Sequence, residues 1–437
     1  MTSYLKISDG CDRRCAYCAI PLIKGDYETV AAGHREAQPG AADLVIVNTC
    51  GFIDAAKEES VAGLLDAVEV AHAHGARVAA VGCLVERYRD ELEAELPEID
   101  LWCGLDTAPL LRALEDFGSG GEGAAGRCAA AAPPRRPRPV AAYVKISDGC
   151  DRRCAYCAIP LIKGDYETLA PAKVLRAAAA ALAAGAKELV LVGQDTSRWE
   201  RPGWGGLERL LSELKALQPA PAWLRLLYLQ PDGIDSGLLE ALSRHAVPYV
   251  DVPLQHASGA VLRRMGRSGD GGAYLDLLVR IRAALPGVAV RSTFIAGYPG
   301  ETETEFEDAL AFVGEAGLAA AGVFPYDAQE GTAAASLPGQ VGAEVAFERA
   351  SRLSERIDEV AARYWETLVG RPLEVLVERG TTRHDGVAVG RCALQAPDVD
   401  GRTLVSGAPL RRGQLVRAVA VGSAGYDVEA VAESREP

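Results

Sequence analysis

Residues 145–160, KISDGCDRRCAYCAIP, decide how the chain is read. Cys150, Cys154 and Cys157 stand there at CxxxCxxC spacing, directly after a short strand-like run at 144–147. Three thiolates this close in sequence can reach three corners of one [4Fe–4S] cube, and with no fourth cysteine the last iron stays open to another ligand. A structural zinc knuckle is the competing use of closely spaced thiols. The downstream context separates the two. From 143 to about 326, strand-like segments at 144–147, 188–192, 224–228, 249–252, 288–294 and 319–324 alternate with helical ones such as 171–184 and 206–217. Parallel strands need such crossovers, so six of them predict a partial (β/α)6 barrel. The cysteine loop follows the first strand and so opens at the carboxyl-end face, where active sites of barrels collect.

Upstream, the apolar run at 44–47 (LVIV) ends in Asn48, Thr49 and Cys50, and a helical pattern covers 54–74. A second strand at 77–81 ends in Gly82 and Cys83, a helix follows at 84–95, and the pattern repeats as 99–103 with a helix through 114. This alternation predicts an open parallel α/β sheet, whose ligand site lies outside the carboxyl ends of its strands. Cys50 and Cys83 project there. Either one alone reads as a buried structural cysteine, but together, at equivalent ends of consecutive βα units, they favour a shared metal site. Cys103 falls inside its strand and reads as packing. Residues 118–139 have a Gly/Ala/Pro composition with little to bury and read as a linker, in which Cys128 is idle.

The N-terminus carries a second copy of the opening motif: 4–29 recur as 143–168 with only Leu5 replaced, by Val144. Near-identity with no similarity beyond it points to a recent duplication or a splice rather than to two diverged domains. Cys11 in this copy, again a strand, a turn and a thiol, is the candidate third ligand beside Cys50 and Cys83. Pro21, Gly25 and Pro39 break any first helix, so Cys15 and Cys18 compete with it. Toward the other end, 344–368 is a charged amphipathic helix, and 373–378, 387–391, 403–406, 414–421 and 426–432 are short strands with Gly-rich turns, the pattern of a small five-stranded β-barrel.

Length and charge set bounds on the function. A chain of 437 residues exceeds one ordinary core, so several domains are expected. Its formal net charge of −14 argues against a protein that coats nucleic acid. The eleven cysteines cluster rather than spread as a disulfide framework, which favours a reducing cytoplasm with metal sites. No apolar run approaches a membrane span, and no signal-peptide core opens the chain, so no membrane association is expected.

Several motifs then fall in one order: NTCGFID at 48–54, GCL at 82–84, CDRRCAYCAIP at 150–160, GQDTSRW at 193–199, LYLQPDGI at 227–234, VPLQHAS at 252–258, STFIAGYPGETE at 292–303, and PLEVLVE at 372–378 with QAPDVDG at 395–401. Together they resemble the RimO branch of the radical S-adenosylmethionine (SAM) methylthiotransferases. The resemblance implies a methylthiotransferase N-terminal domain over 1–117 with the duplicated segment at 1–30, a linker at 118–139, a radical SAM core over 140–368 and a TRAM domain over 369–437. It implies two [4Fe–4S] clusters, one on Cys150, Cys154 and Cys157 that binds and cleaves SAM, and an auxiliary one on Cys50, Cys83 and Cys11. It further implies SAM as both radical source and methyl donor, SAM-contacting loops with Gln194, Asp195, Gly297, Gly300 and Glu301, and an electron donor such as flavodoxin or ferredoxin. No acid–base residue is required, and His256 reads as a rim histidine or a substrate contact.

The family divides between a tRNA base, in the MiaB branch, and a protein substrate, an aspartate β-carbon of ribosomal protein uS12. From 371 to the end there are nine basic and nine acidic residues, whereas a tRNA grip calls for a basic groove. The neutral balance, with NTCGF and QAPDVDG, selects the protein substrate. A non-catalytic iron–sulfur or zinc protein is the alternative of a different class.

Overall fold

The computed structural model describes residues 44–119, 140–381 and 386–433, together with the backbone of a parallel two-residue pairing between Ser3–Tyr4 and Arg35–Glu36. Cys11, Cys15, Cys18, Cys128 and nearly all of the duplicated segment and the linker lie outside the described residues.

The first unit is an open parallel sheet of β1 (Leu44–Thr49), β2 (Arg77–Gly82) and β3 (Leu101–Cys103) in sequential order, with helices α1 (Asp54–His72), α2 (Cys83–Glu95) and α3 (Ala108–Ser119) as crossovers and flank. Sequential order is what right-handed βαβ units produce when each strand lies beside its predecessor. Its core packs Val45, Val47, Val78 and Ala80 against Leu64, Ala67 and Ala71 of α1. The last helix runs through Ser119, past the expected start of the linker at 118.

The second unit carries the six expected parallel strands. β4 (Ala141–Lys145), β5 (Glu188–Val192) and β6 (Trp223–Leu226) form one three-stranded sheet; β7 (Tyr249–Asp251), β8 (Ala289–Ala296) and β9 (Ala320–Pro325) form another. Backbone bonds from Val247 N to Leu224 O (2.9 Å) and from Leu229 N to Asp251 O (2.9 Å) join them at β6 and β7. The result is a partial barrel. β5 and β8 are buried at every residue, as parallel strands covered on both faces are. β4 begins at Ala141 rather than at 144, because Ala141 to Lys145 register with β5 from Glu188 to Val192. Helices α4 (Ile159–Lys163), α5 (Pro171–Ala183), α6 (Leu207–Lys215), α7 (Ser236–His245), α8 (Gly259–Arg264), α9 (Gly271–Ala284) and α10 (Glu303–Ala316) fill the crossovers. Asp235, Ser258, Asp270 and Thr302 each cap the helix that follows, and Thr302 with Glu305 forms a reciprocal capping box.

Helix α11 (Ala343–Glu366) packs along β9, burying Ala346, Ala350, Leu353, Ile357, Val360 and Trp365 on one face. It leads to the closed barrel of β10 (Pro372–Arg379), β11 (Ala388–Cys392), β12 (Thr403–Ser406), β13 (Leu415–Ala424) and β14 (Asp427–Ala432), joined in the order β10-β11-β12-β14-β13. The small barrel shares one core with the amino-end base of the large one, where Val140, Trp223, Tyr249 and Trp365 pack with Val375, Leu376, Cys392 and Val405. It therefore seals the end opposite the mouth.

Candidate functional site

The cysteine loop is shaped by its glycines and by the turn after α8. Gly149 has φ +68, and a Cβ there would lie 2.0 Å from Asp165 O, so only glycine fits where the loop doubles back on itself. Cys150 N donates to Gly164 O at 3.1 Å, Cys157 N to Cys154 O at 3.0 Å, and Ala155 N to Met265 O at 2.9 Å. Asp148 braces the entry through Lys145 and, at 3.1 Å, Lys163. Non-glycine residues with left-handed φ among the described residues number four, and three belong here: Arg153 inside the loop, and Tyr228 and Gln255 on the wall it faces. Strain of this kind persists where the surroundings over-determine a conformation.

Cys150, Cys154 and Cys157 line one cavity with Gln194, Tyr228, Gln230, Gln255, Arg267 and Thr293. Burial pushes the Cys150 thiol up, and that of Cys157 up to about 12. Thiols so placed ionise when a cationic centre compensates the lost solvation. Among the described residues, no three His, Cys, Asp or Glu side chains converge on a single metal ion. The three thiols share one cavity, where a multi-iron cluster would be held. The same cavity offers polar atoms: both amide atoms of Gln194 and Oε1 of Gln255 are buried with no hydrogen-bond partner among the described residues. A cavity lined by thiols and by such amides fits a cluster and a polar ligand bound to it.

The other residues read from the sequence sit around this cavity in different ways. Asp195 is fully buried; its Oδ2 accepts from Arg152 Nε (2.6 Å) and lies 3.0 Å from Arg198 Nε, while Oδ1 accepts from Ser197 Oγ (2.6 Å). It ties the end of β5 to the cysteine loop, and Arg152 continues to Asp232 at 2.7 Å. Gly297, Gly300 and Glu301 are off the cavity wall. Glu301 accepts from Gly297 N (3.1 Å), Tyr298 N (3.3 Å) and Arg349 Nη1 (2.9 Å), all inside the protein. His256 accepts at Nδ1 from Ser258 N (2.9 Å), which places its proton on Nε2, 3.4 Å from Glu301 Oε2. It is the hydrogen-bonded rim histidine.

Cys50 and Cys83 are brought together. Thr49 and Gly82 are registered partners, so the two cysteines are the next residues of neighbouring strands. A Cβ on Gly51 would lie 2.8 Å from Leu84 Cα, so its absence lets the two loops touch. Both cysteines pack against Ala158 and Ile162, just after Cys157, while Phe52 and Ile53 line the same cavity. Arg87 clasps this arrangement: its Nη1 donates to Gly51 O (3.1 Å) and Gln329 Oε1 (3.2 Å), and its Nη2 to Glu330 O. Asp327 accepts from Asp54 N at 3.0 Å and so serves as the carboxylate at the α1 N-terminus. Cys103 lies on the other face of its sheet with Leu44, Val81 and Leu110, as packing. The sequence reading passed over Arg87, Gln329 and Arg267; arginines on a helix and in a turn look like solvent-facing charge until the fold is known.

Three family models match: the radical SAM superfamily over residues 144–313, the TRAM domain over 369–432, and the uncharacterized protein family UPF0004 over 27–104. The ribosomal protein uS12 methylthiotransferase RimO of Desulforudis audaxviator is 40% identical over 440 residues, covering 97% of this chain and 95% of that protein. The chain belongs to the RimO family. The RimO of Pelotomaculum thermopropionicum is 38% identical, with 97% of each covered. Among solved structures, the radical SAM methyltransferase TsrM of Kitasatospora setae, with cobalamin and a [4Fe–4S] cluster bound, matches with a TM-score of 0.50 and 16% identity over 66% of each chain, a likeness of fold. RimO-family membership makes the chain a radical SAM methylthiotransferase, with an iron–sulfur cluster and SAM as cofactors. No helix among the described residues is long and apolar enough to cross a membrane.

Proposed function

We propose that this chain methylthiolates an aspartate β-carbon of ribosomal protein uS12, with Cys150, Cys154 and Cys157 holding one [4Fe–4S] cluster and Cys50, Cys83 and Cys11 a second. The observation that carries the reading is the likeness of 97% of the chain, all three units in order, to uS12 methylthiotransferases. The division into 1–117, a linker, 140–368 and 369–437 belongs to the same reading. When bound, the clusters and SAM supply the one-electron chemistry that opens an unactivated C–H bond, together with the sulfur and methyl groups to be transferred.

The chain's own residues position and shield. The Gln194 amide, unpartnered among the described residues and in the cavity lining, is the contact for a polar ligand. Asp195 holds Arg152 and thereby the cysteine loop, and the Gly297–Glu301 loop, anchored by Arg349, braces the mouth from outside the cavity. Phe52, Ile53 and Ile295 close it with apolar surface, which excludes water from a reactive site. A small low-potential donor such as flavodoxin or ferredoxin supplies electrons.

The test offers the anaerobically reconstituted protein, SAM and a reductant to isolated uS12, to ribosomes and to tRNA, and reads each by mass spectrometry. A methylthio group on the uS12 aspartate is expected; an adduct on tRNA alone overturns the choice of substrate.

A further inference from the structure

Arg267 is a charged group of the cavity that positioning and shielding leave without a task. It follows Gly266, whose φ of +71 turns the chain back after α8 onto the cysteine loop. Its Nη1 lies 3.8 Å from Cys154 Sγ and donates to Gln230 Oε1 at 3.1 Å, and its Nη2 donates to Pro253 O at 2.6 Å. Its Nε is buried with no hydrogen-bond partner among the described residues. None of its bonds there is to a carboxylate. Arg152, the other arginine lining the cavity, is neutralised by Asp195 and Asp232. A guanidinium withdrawn from water needs a negative partner; Asp232 acts on it only at a distance and is already paired with Arg152, and the group its N–H reaches is the cysteine sulfur.

We propose that Arg267 is a positioning residue for the electron: its countercharge is the cluster held by Cys150, Cys154 and Cys157, and it raises the reduction potential of that cluster. The inference rests on the reading of those cysteines as cluster ligands. Three thiolates make the assembly negative, and it gains one more negative charge when it accepts an electron from a low-potential one-electron donor. A fixed cation with an N–H aimed at a ligand sulfur stabilises the more negative, reduced form more than the oxidised form. The guanidinium stays protonated throughout, so the step moves an electron and no proton.

The experiment is a redox titration of the full-length reconstituted protein without SAM, followed by electron paramagnetic resonance. Cys11, Cys15, Cys18, Cys50 and Cys83 are replaced by alanine throughout, so that the barrel cluster alone is read. In Arg267→Gln, at the potential where the parent is half reduced, the ratio of reduced to oxidised cluster should fall about tenfold, a shift of about 59 mV downward for one electron. Arg267→Lys keeps the charge and should recover most of that shift. Both variants should retain about four irons. An unchanged SAM-free potential with iron retained overturns the proposal, and weakened SAM binding in that case assigns the guanidinium to the ligand instead. Loss of iron from Arg267→Gln while the parent stays loaded also overturns it, since tuning leaves the cluster in place. Failure of the parent itself, in which Arg267 is unchanged, to bind iron would sink the cysteine-loop reading and the proposal with it.

Discussion

Asp195 and Glu301 are carboxylates with their oxygens already engaged, whereas Gln194, next to Asp195, has an amide with no partner among the described residues. That contrast sorts the residues at the barrel mouth by what they can still bind. Glu301→Gln removes the buried one of the two carboxylates that answer Arg349 and leaves the guanidinium to the exposed Glu303, at a cost of roughly 1–3 kcal/mol. A lower melting temperature of the apoprotein is expected, and an unchanged one would show the pair to be idle. Gln194→Ala breaks no internal bond, so the melting temperature should hold while SAM binding to the reconstituted protein weakens about tenfold, the worth of roughly one hydrogen bond to a charged ligand. Equilibrium dialysis measures it, and unchanged affinity would remove Gln194 from the site. The sequence placed both residues at the end of a strand. It had no means of separating their roles, because Asp195 is engaged by Arg152, 43 residues earlier, and that meeting exists only after the barrel has formed.

At the level of elements, the βα alternation was readable because buried parallel strands are continuous apolar runs, LVIV and LVLV among them, set between helical periods. The adjacency of Cys50 and Cys83 followed from the same pattern, and the Thr49–Gly82 register bears that placement out. What escaped was the closeness of the two loops, which depends on a missing side chain. Gly51→Ala would push a methyl group against Leu84 Cα and Cys83 O and force the loops apart. If Cys50 and Cys83 share an auxiliary cluster, this variant should bind about four irons where the parent binds about eight, with the barrel cluster retained. Iron content with absorption spectra checks this, and eight irons in the variant would separate the two cysteines from a common centre. The Arg87 clasp works at the same scale: Arg87→Ala frees Gly51 O and Gln329 together, and faster hydrogen exchange should appear in the Cys50 loop and at 327–330.

For the molecule as a whole, the acidic residues of the small barrel matter by where they point. The count of nine basic and nine acidic residues treated all of them as surface, yet Asp398 accepts from Tyr143, Asp400 from Tyr249 at 2.7 Å, and Glu374 from Trp223 at 2.6 Å, each across the interface with the large barrel. QAPDVDG is therefore a docking loop, and the neutral balance in sequence is not the balance presented to a partner. At the centre, Glu188 bridges Arg225 of the large barrel and Arg391 of the small one, at 2.7 Å each, with both partners buried. Burial alone would raise the Glu188 carboxyl, but Arg225 and Arg391 outweigh it and hold the group below its ordinary value. Its pKa is thus lower folded than unfolded, so its contribution is fully present above about pH 4.3 and is lost as pH falls through the depressed folded value. Limited proteolysis should find the two barrels resistant as a unit at neutral pH and separable in acid. Glu188→Gln leaves Arg225 buried against an amide and Arg391 with Glu378 as its one remaining carboxylate among the described residues, at a cost of about 3–5 kcal/mol, and should separate the barrels already at neutral pH, with most of the acid dependence gone. A variant that kept the parent's acid midpoint would place the pH-sensitive group elsewhere in the interface and leave Glu188 as packing.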